Sequence, residues 1–196
     1  SYAVVDPKPE RPTPLRRKTE MSKGPFKRYA IGPDPITPMP RPGTPNGQWV
    51  GEGLTHNETG IPVGGASAHV AQMKKRATKI AQFDPGKFWG DVWGDGDTAI
   101  LTFGSSIGPA QETARRLNAV GKKTRVVGLR ILSPLPVDSI AKALDGAKRI
   151  FVMEQNLGAQ LYHYLLAYKA IPATAQSIAR PGPLPFQPTE IAAYIN

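Results

Sequence analysis

The side chains with proton chemistry to offer sit in one short loop. Thr55-His56-Asn57-Glu58-Thr59-Gly60 places an imidazole and a carboxylate two residues apart. Such a pair can exchange protons with a substrate. Two ionisable groups do not make a catalytic constellation by themselves, however, and a surface loop is an equally good reading. Arg41 stands upstream in the same turn-rich stretch, Thr37 to Gly60, and is the cation nearest to this pair in sequence. No second histidine lies at ligand spacing, so no metal site is expected there. A second group of polar residues follows apolar runs. Gly104-Ser105 comes after Thr98–Phe103, and Glu154-Gln155-Asn156 after Arg149–Met153. A carboxylate at the end of a buried strand is costly unless paired. Glu154 is therefore expected to accept backbone N–H groups or a cation, in a structural role.

These residues need elements to position them, and the stretch from Thr98 to Arg130 organises the rest. Thr98–Phe103 is an apolar, β-prone run long enough for a buried strand. Gly104, Ser105 and Ser106 break it, and Pro109 suits a first helical turn. Ala110, Ala114, Leu117 and Gly121 then recur at helical spacing, with Gly121 closing the helix. Thr124–Leu129 is a second buried run. A connection this short between two buried strands favours a parallel crossover.

The pattern repeats downstream. Val137, Ile140, Ala141 and Leu144 mark a helical face, and Arg149–Met153 a third strand. Leu157, Leu161, Tyr164, Leu165 and Tyr168 mark the stripe of a further helix. Thr174–Ile178 reads as a fourth strand, and Pro188-Thr189-Glu190 as the start of a last helix. Strands alternating with helices predict a three-layer α/β/α domain over 98–196 with a mainly parallel sheet. An additional antiparallel edge strand is expected, with no position assigned to it.

The first 97 residues read differently. More than half of the 21 prolines lie between Pro7 and Pro45, which excludes regular helix and central strand over most of residues 1–47. This segment is expected to be an extended arm or linker that lies across a partner, burying Tyr2, Phe26 and Tyr29. Phe26–Ile31 reads as one short strand. Residues 48–97 hold the His56 loop, a basic amphipathic helix over Ala66–Phe83, and a Gly/Asp/Trp-rich connector. Val70, Met73, Ala77 and Ile80 form the apolar stripe of that helix; Lys74, Lys75, Arg76 and Lys79 form its basic face.

Composition narrows the function. The chain carries 25 Lys+Arg against 15 Asp+Glu, a net charge of +10. Residues 1–90 hold 14 basic and 7 acidic side chains, so most of the excess lies in that half. The basic residues are scattered among prolines with few aromatics for stacking, so nucleic acid is not the expected partner. An acidic partner or an anionic cofactor such as coenzyme A fits better. There is no cysteine, hence no disulfide and no thiolate ligand for zinc or an Fe–S cluster. No apolar run reaches the ~18 residues of a membrane span. A cytoplasmic location is expected.

The Gly104-Ser105 turn with Glu112, Ala114, Leu117 and Gly121 resembles the C-terminal domain of the transketolase superfamily. An ordered set of segments narrows the resemblance: TPMPRPGTPNGQ with GLTHNETG, then HVAQMKKRATKI, GSSIGPAQE, LRILSPLP and RIFVMEQNLGAQL. From about Phe26 onward the chain resembles the C-terminal part of the α subunit of 2-oxoacid:ferredoxin oxidoreductases, nearest the 2-oxoglutarate type. That family tends to carry Ser-Pro-Arg where this chain has Thr37-Pro38-Met39, with Arg41 two residues on, and an acidic residue where Asn57 stands.

The resemblance implies oxidative decarboxylation of a 2-oxoacid to its acyl-coenzyme A, with electrons passing to ferredoxin or another acceptor. It implies thiamine diphosphate, Mg2+ and a [4Fe–4S] cluster in the complex, with coenzyme A as substrate and none of these bound by this chain alone. The implied partners are the N-terminal part of the same α subunit and a β subunit carrying thiamine diphosphate and the cluster, in a hetero-oligomer. Gly94-Asp95-Gly96 resembles the opening of the thiamine diphosphate motif. It lacks the later Asn-Asn pair and precedes a strand, so it reads as a turn. Catalytic residues are not expected here; Arg41, His56 and Glu58 are the substrate-proximal candidates. Gly104, Ser105, Glu154, Gln155 and Asn156 are structural candidates. The alternatives are the equivalent domain of a transketolase or 2-oxoacid dehydrogenase E1β chain, or a stand-alone basic binding module. The first of these should lack the proline-rich arm and the THNETG loop.

Overall fold

The computed structural model describes residues 17–21 and 24–196, and Tyr2 lies outside them. The chain forms two compact units, Ser1–Gln82 and Phe83–Asn196.

The second unit is built on a five-stranded sheet. Its strands are β1 (Gly90–Trp93), β2 (Thr98–Phe103), β3 (Thr124–Leu129), β4 (Arg149–Glu154) and β5 (Gln176–Ala179), in the order β1-β3-β2-β4-β5. Four of them are parallel, while β1 runs antiparallel to β3 with Gly90 opposite Leu129 and Trp93 opposite Val126. The expected antiparallel edge strand is thus β1, in the stretch read as a connector. Four residues with only Gly90 fully buried carry too short an alternation to show as a strand. Asp91 on β1 is held by the Arg130 guanidinium at 2.5 Å.

Side chains alternate between two cores, as strand geometry requires. Ala99, Leu101, Val127, Leu129, Ile150 and Val152 face α3 (Val137–Leu144) and α4 (Gln160–Ala167), which contribute Ile140, Leu144, Leu161 and Leu165. Ile100, Val126, Phe151, Met153 and Ile178 face α2 (Ile107–Ala119) and α5 (Pro188–Ile195), which contribute Ala110, Ala114, Leu117, Ile191 and Ile195. The result is the expected three-layer α/β/α arrangement. Burying one such side chain removes about 1.5–3 kcal/mol of hydrophobic cost.

Local signals explain several boundaries. Gly121 has φ +80 and sits just past α2. Its N–H donates to the Asn118 carbonyl and the Lys122 N–H to the Leu117 carbonyl, the paired bonds of a Schellman ending. Gln187 and Glu190 form a reciprocal capping box at the start of α5. Gly96 lies against the start of β3, where a Cβ would come within 2.2 Å of the Lys123 carbonyl carbon. Gly94-Asp95-Gly96 is therefore a turn packed on backbone.

Two boundaries differ from expectation. α4 begins at Gln160 rather than near Leu157, whose side chain is 80% exposed. The Asn156 carboxamide oxygen accepts the Gly158 N–H and holds this stretch in a turn. β5 starts at Gln176, because Thr174 lies in a turn closed by the Ala175 N–H on the Pro172 carbonyl.

The first unit, in its described residues, has one helix, α1 (Ala66–Ala81), with irregular chain around it. Phe26–Ile31 is not a strand. The Ala30 N–H closes a turn on the Lys27 carbonyl, and the Tyr29 N–H donates to the Glu58 carbonyl. The Tyr29 and Ala30 carbonyls accept the side chains of Gln72 and Lys75. Single bonds to a loop and a helix replace a ladder. Residues 27–37 take polar partners from their own chain.

α1 also reverses the expected sense of its faces. Val70, Met73 and Ile80 are 48–49% exposed, whereas Gln72 is buried and Lys75 half-buried. The polar face is turned toward the unit's own chain, and the apolar stripe is uncovered.

Candidate functional site

The loop carrying His56 and Glu58 is a tight hairpin. The Asn57 N–H donates to the Ile61 carbonyl and the Val63 N–H to the Thr55 carbonyl. The Asn57 side-chain oxygen accepts three donors: the Thr59 N–H, the Thr59 hydroxyl and the Ile61 N–H. A short side-chain acceptor is what this turn needs, which gives Asn57 a structural reason.

His56 and Glu58 leave that hairpin toward different partners. The His56 ring lies on the Tyr29 ring, with centroids 3.9 Å apart. His56 Nδ1 donates to the Asn57 carbonyl at 3.0 Å, so a neutral ring keeps Nε2 as its acceptor. The Glu58 carboxylate accepts the Ile31 N–H at 2.9 Å and the Lys27 ammonium at 3.3 Å. The backbone donor first, then the lysine, hold its pKa below the usual carboxylate range. Glu58 thus ties the 27–31 segment to the loop. No hydrogen bond among the described residues joins it to His56. Arg41 is exposed, with its carbonyl accepting both the Thr44 N–H and hydroxyl in a local turn. The three candidates share one unit but do not converge on one point.

The better-defined feature joins Arg28 and Gln72, which the sequence does not single out, to His56 and the basic face of α1. The Arg28 guanidinium lies 5.5 Å from the Tyr29 ring centroid and 5.4 Å from that of Trp49. One of its terminal nitrogens donates to the Thr37 hydroxyl at 2.9 Å, and the Thr37 hydroxyl donates to the Arg28 carbonyl. Lys75 reaches over from α1 to the Ala30 carbonyl at 2.8 Å. Burial lowers the Lys75 pKa, and the charges of Arg28 and Lys79 lower it further. Arg28, Tyr29, Thr37 and Lys75, with His56, Arg76, Lys79 and Glu52, line a cavity of about 280 Å3. The spacing Gln72, Lys75, Arg76 and Lys79 was the available signal, since these positions share one helical face.

In the second unit, connections from β2 and β4 leave in opposite directions, so their carboxyl ends flank the topological switch point of the sheet. The sequence candidates Gly104-Ser105 and Glu154-Gln155-Asn156 are brought together there. Ser105 is exposed. Gln155 donates to the Leu184 carbonyl, and Asn156 to the Gln160 side chain. Glu154 is buried, and its two carboxylate oxygens accept the Leu161 and Tyr162 N–H groups at 2.8 and 2.9 Å. Those N–H groups belong to the first turn of α4, which has no intrahelical acceptors. The carboxylate therefore meets the positive end of the helix, as its position required.

Residues 91–195 match the family described as transketolase, C-terminal domain, a span that runs from β1 to the end of α5. The chain belongs to the transketolase C-terminal domain family. Relatives that are similar over most of the chain include subunits of 2-oxoacid and 2-oxoglutarate oxidoreductases. One, subunit alpha of 2-oxoacid:ferredoxin oxidoreductase 2 of Aeropyrum pernix, is 28% identical over 87% of this chain and 27% of its own length. The 2-oxoglutarate oxidoreductase subunit KorA of Mycobacterium tuberculosis is 25% identical over 93% of this chain and 28% of its own. A solved structure of 2-oxoglutarate:ferredoxin oxidoreductase from Magnetococcus marinus, with 2-oxoglutarate, coenzyme A and succinyl-CoA bound, is 32% identical with a TM-score of 0.71. That match covers 96% of this chain and 33% of the other. The chain thus spans about a quarter to a third of the length of these relatives. The resemblance drawn from the sequence motifs stands, as does the fold it implied.

Proposed function

We propose that this chain is the C-terminal part of the α subunit of a thiamine-diphosphate-dependent 2-oxoacid:ferredoxin oxidoreductase, with 2-oxoglutarate as the 2-oxoacid. In that reaction the bond between the carboxylate and the keto carbon breaks and carbon dioxide leaves. The acyl carbon bonds to the coenzyme A sulfur, a proton is released, and an electron pair passes to ferredoxin. The observation that carries the reading is the likeness over 96% of the chain to a 2-oxoglutarate:ferredoxin oxidoreductase, which takes in the His56 loop and α1 as well as the sheet. An E1β or transketolase C-terminal domain would account for the sheet alone.

The role of this part is assembly rather than chemistry. The residues present do not fit thiamine diphosphate, its metal or an iron–sulfur cluster. The chain has no cysteine, and its Gly-Asp-Gly packs on backbone. Among the described residues, no group of His, Asp and Glu is arranged to hold a metal ion. Those groups are assigned to the N-terminal part of the α subunit and to a β subunit of a hetero-oligomer. The exposed apolar stripe Val70-Met73-Ile80 of α1 is the surface by which this part joins them. Arg41, His56 and Glu58 lie nearest the substrate entrance, and Gly104, Ser105, Glu154, Gln155 and Asn156 are structural.

No helix among the described residues is long and apolar enough to cross a membrane. The proposal places the complex in the cytoplasm, which cell fractionation with an antibody to this chain checks. To test the functional reading, the complex is purified through a tag on this chain and mixed with 2-oxoglutarate and coenzyme A. A reduced iron–sulfur signal in electron paramagnetic resonance is the expected result. A complex with no cluster, or with one that stays oxidised on mixing, refutes it.

A further inference from the structure

The cavity under α1 is lined by more cations than carboxylates. Four permanent cations, Arg28, Lys75, Arg76 and Lys79, line it against one carboxylate, Glu52. Glu52 accepts the N–H of its neighbour Gly53. Asp34 is paired with Lys18, and Glu58 with Lys27. Among the described residues no carboxylate forms an ion pair with the four cations.

Donors in the cleft also outnumber acceptors. The Arg28 Nε–H is buried with no hydrogen-bond partner among the described residues. The side-chain acceptor found for Arg76 is the Met73 sulfur at 3.1 Å, a weak one. Lys75 gives one strong bond, to the Ala30 carbonyl, and a longer one of 3.4 Å to the Thr37 hydroxyl. It keeps a third N–H to offer. Burial first, and then the charges of Arg28 and Lys79, disfavour the Lys75 cation, with Glu58 and Asp34 opposing them, and a bound anion would favour it.

We propose that this cleft is an oxyanion site for phosphate groups, with Arg28, Lys75, Arg76 and Lys79 as ligands and His56 at its wall. A carboxylate brings one negative charge and leaves most of the imbalance standing. A phosphate monoester or diphosphate brings two or more charges and several acceptor oxygens, which suits one guanidinium fork beside point-charge ammonium groups. A cavity of about 280 Å3 has room for a phosphorylated group and not for a large ligand as a whole. The phosphate can come from free diphosphate or from the phosphate-bearing end of a nucleotide, which would add contact with the Tyr29 and His56 rings of the lining. This site goes beyond the redox function proposed above and shares with it the residue His56.

The test is calorimetric titration of the full-length protein with three probes: inorganic pyrophosphate, adenosine 3′,5′-bisphosphate and 2-oxoglutarate. Pyrophosphate and the bisphosphate are expected to bind, weakening as NaCl is raised from about 0.05 to about 0.5 M. Bisphosphate binding at least about tenfold tighter than pyrophosphate assigns the site to a nucleotide; equal affinities assign it to free phosphate. The double variant Arg76→Ala/Lys79→Ala removes two exposed side chains. It is expected to weaken both by at least about tenfold without changing the melting temperature. Lys142→Ala, in the second unit, should change neither. Absence of binding by both phosphates at millimolar concentration overturns the proposal. So does binding unchanged in the double variant, or 2-oxoglutarate binding more tightly than pyrophosphate.

Discussion

Replacing Glu154 separates a structural carboxylate from a catalytic one. The side chain is 2% exposed, and both its oxygens are committed to first-turn N–H groups of α4. Glu154→Ala strands both donors, one of them on the buried Leu161. Each stranded donor costs about 1–3 kcal/mol, so the expected loss for the two is about 2–6 kcal/mol. Glu154→Gln keeps one acceptor and the side-chain volume but turns an NH2 toward the second donor. Its expected cost is about 1.5–3 kcal/mol, the range for a hydrogen bond to a charged group. Urea titration followed by circular dichroism gives both values, and the alanine variant should lose more than the glutamine one. Amide exchange locates the effect: Leu161 and Tyr162 should lose protection in Glu154→Ala beyond what the lower global stability explains, while amides of β2 and β3 change only with global stability. A loss under about 1 kcal/mol in the alanine variant, with Leu161 and Tyr162 protected as before, refutes the capping argument. Turnover abolished by Glu154→Gln with stability and assembly unchanged refutes the structural assignment.

Further perturbations probe other elements. Met73→Lys or Ile80→Lys places a charge on the uncovered stripe of α1; the chain should remain folded but fail to co-elute with its partner subunits on gel filtration. Glu112 accepts from Arg115 and Arg116, which hold its pKa down to about 2 against an ordinary 4.5. Because the folded pKa is depressed, its stabilisation is present above about pH 4.5 and is lost as pH falls toward 2. The melting-temperature gap between the wild type and Glu112→Gln should therefore close over that interval and stay constant at higher pH. Gly96→Ala forces a Cβ into the backbone of Lys123 and should cost about 1–3 kcal/mol, read from denaturant midpoints. Arg41→Ala, on an exposed side chain, should raise the KM for the 2-oxoacid in the assembled enzyme and leave melting unchanged.

The parts of the fold that the sequence disclosed are those where one local signal acts alone. Thr98–Phe103 and Thr124–Leu129 carry apolar centres, Ala99-Ile100-Leu101 and Val126-Val127, buried on both faces, and Gly121 ends the intervening helix with bonds that its backbone freedom permits. The start of α4 was hidden because a residue six positions upstream, Glu154, sets it by capping the first turn. β1 was hidden because four residues at a sheet edge bury too little to show a period. α1 misled for a different reason. Its apolar stripe is real, but residues of its own unit leave that stripe uncovered, and the polar face meets the Tyr29–Ile31 backbone instead. Amphipathicity reports that a helix has two faces and not which one its own chain will use. The Arg28–Lys75 cleft is legible only on its α1 side, where Gln72, Lys75, Arg76 and Lys79 share one face. It joins residues 47 positions apart through a Pro-rich segment whose path has no periodic signature.

The central claim is that the complex containing this chain reduces ferredoxin at the expense of a 2-oxoacid. The decisive measurement is steady-state ferredoxin reduction, followed anaerobically by absorbance with the complex purified through this chain. 2-Oxoglutarate and coenzyme A should each be required, with succinyl-CoA and carbon dioxide formed in equal amounts and an electron pair delivered to ferredoxin for each turnover. Acyl-CoA formation that requires NAD and leaves ferredoxin oxidised, or ketol transfer between sugar phosphates without any redox step, would contradict it.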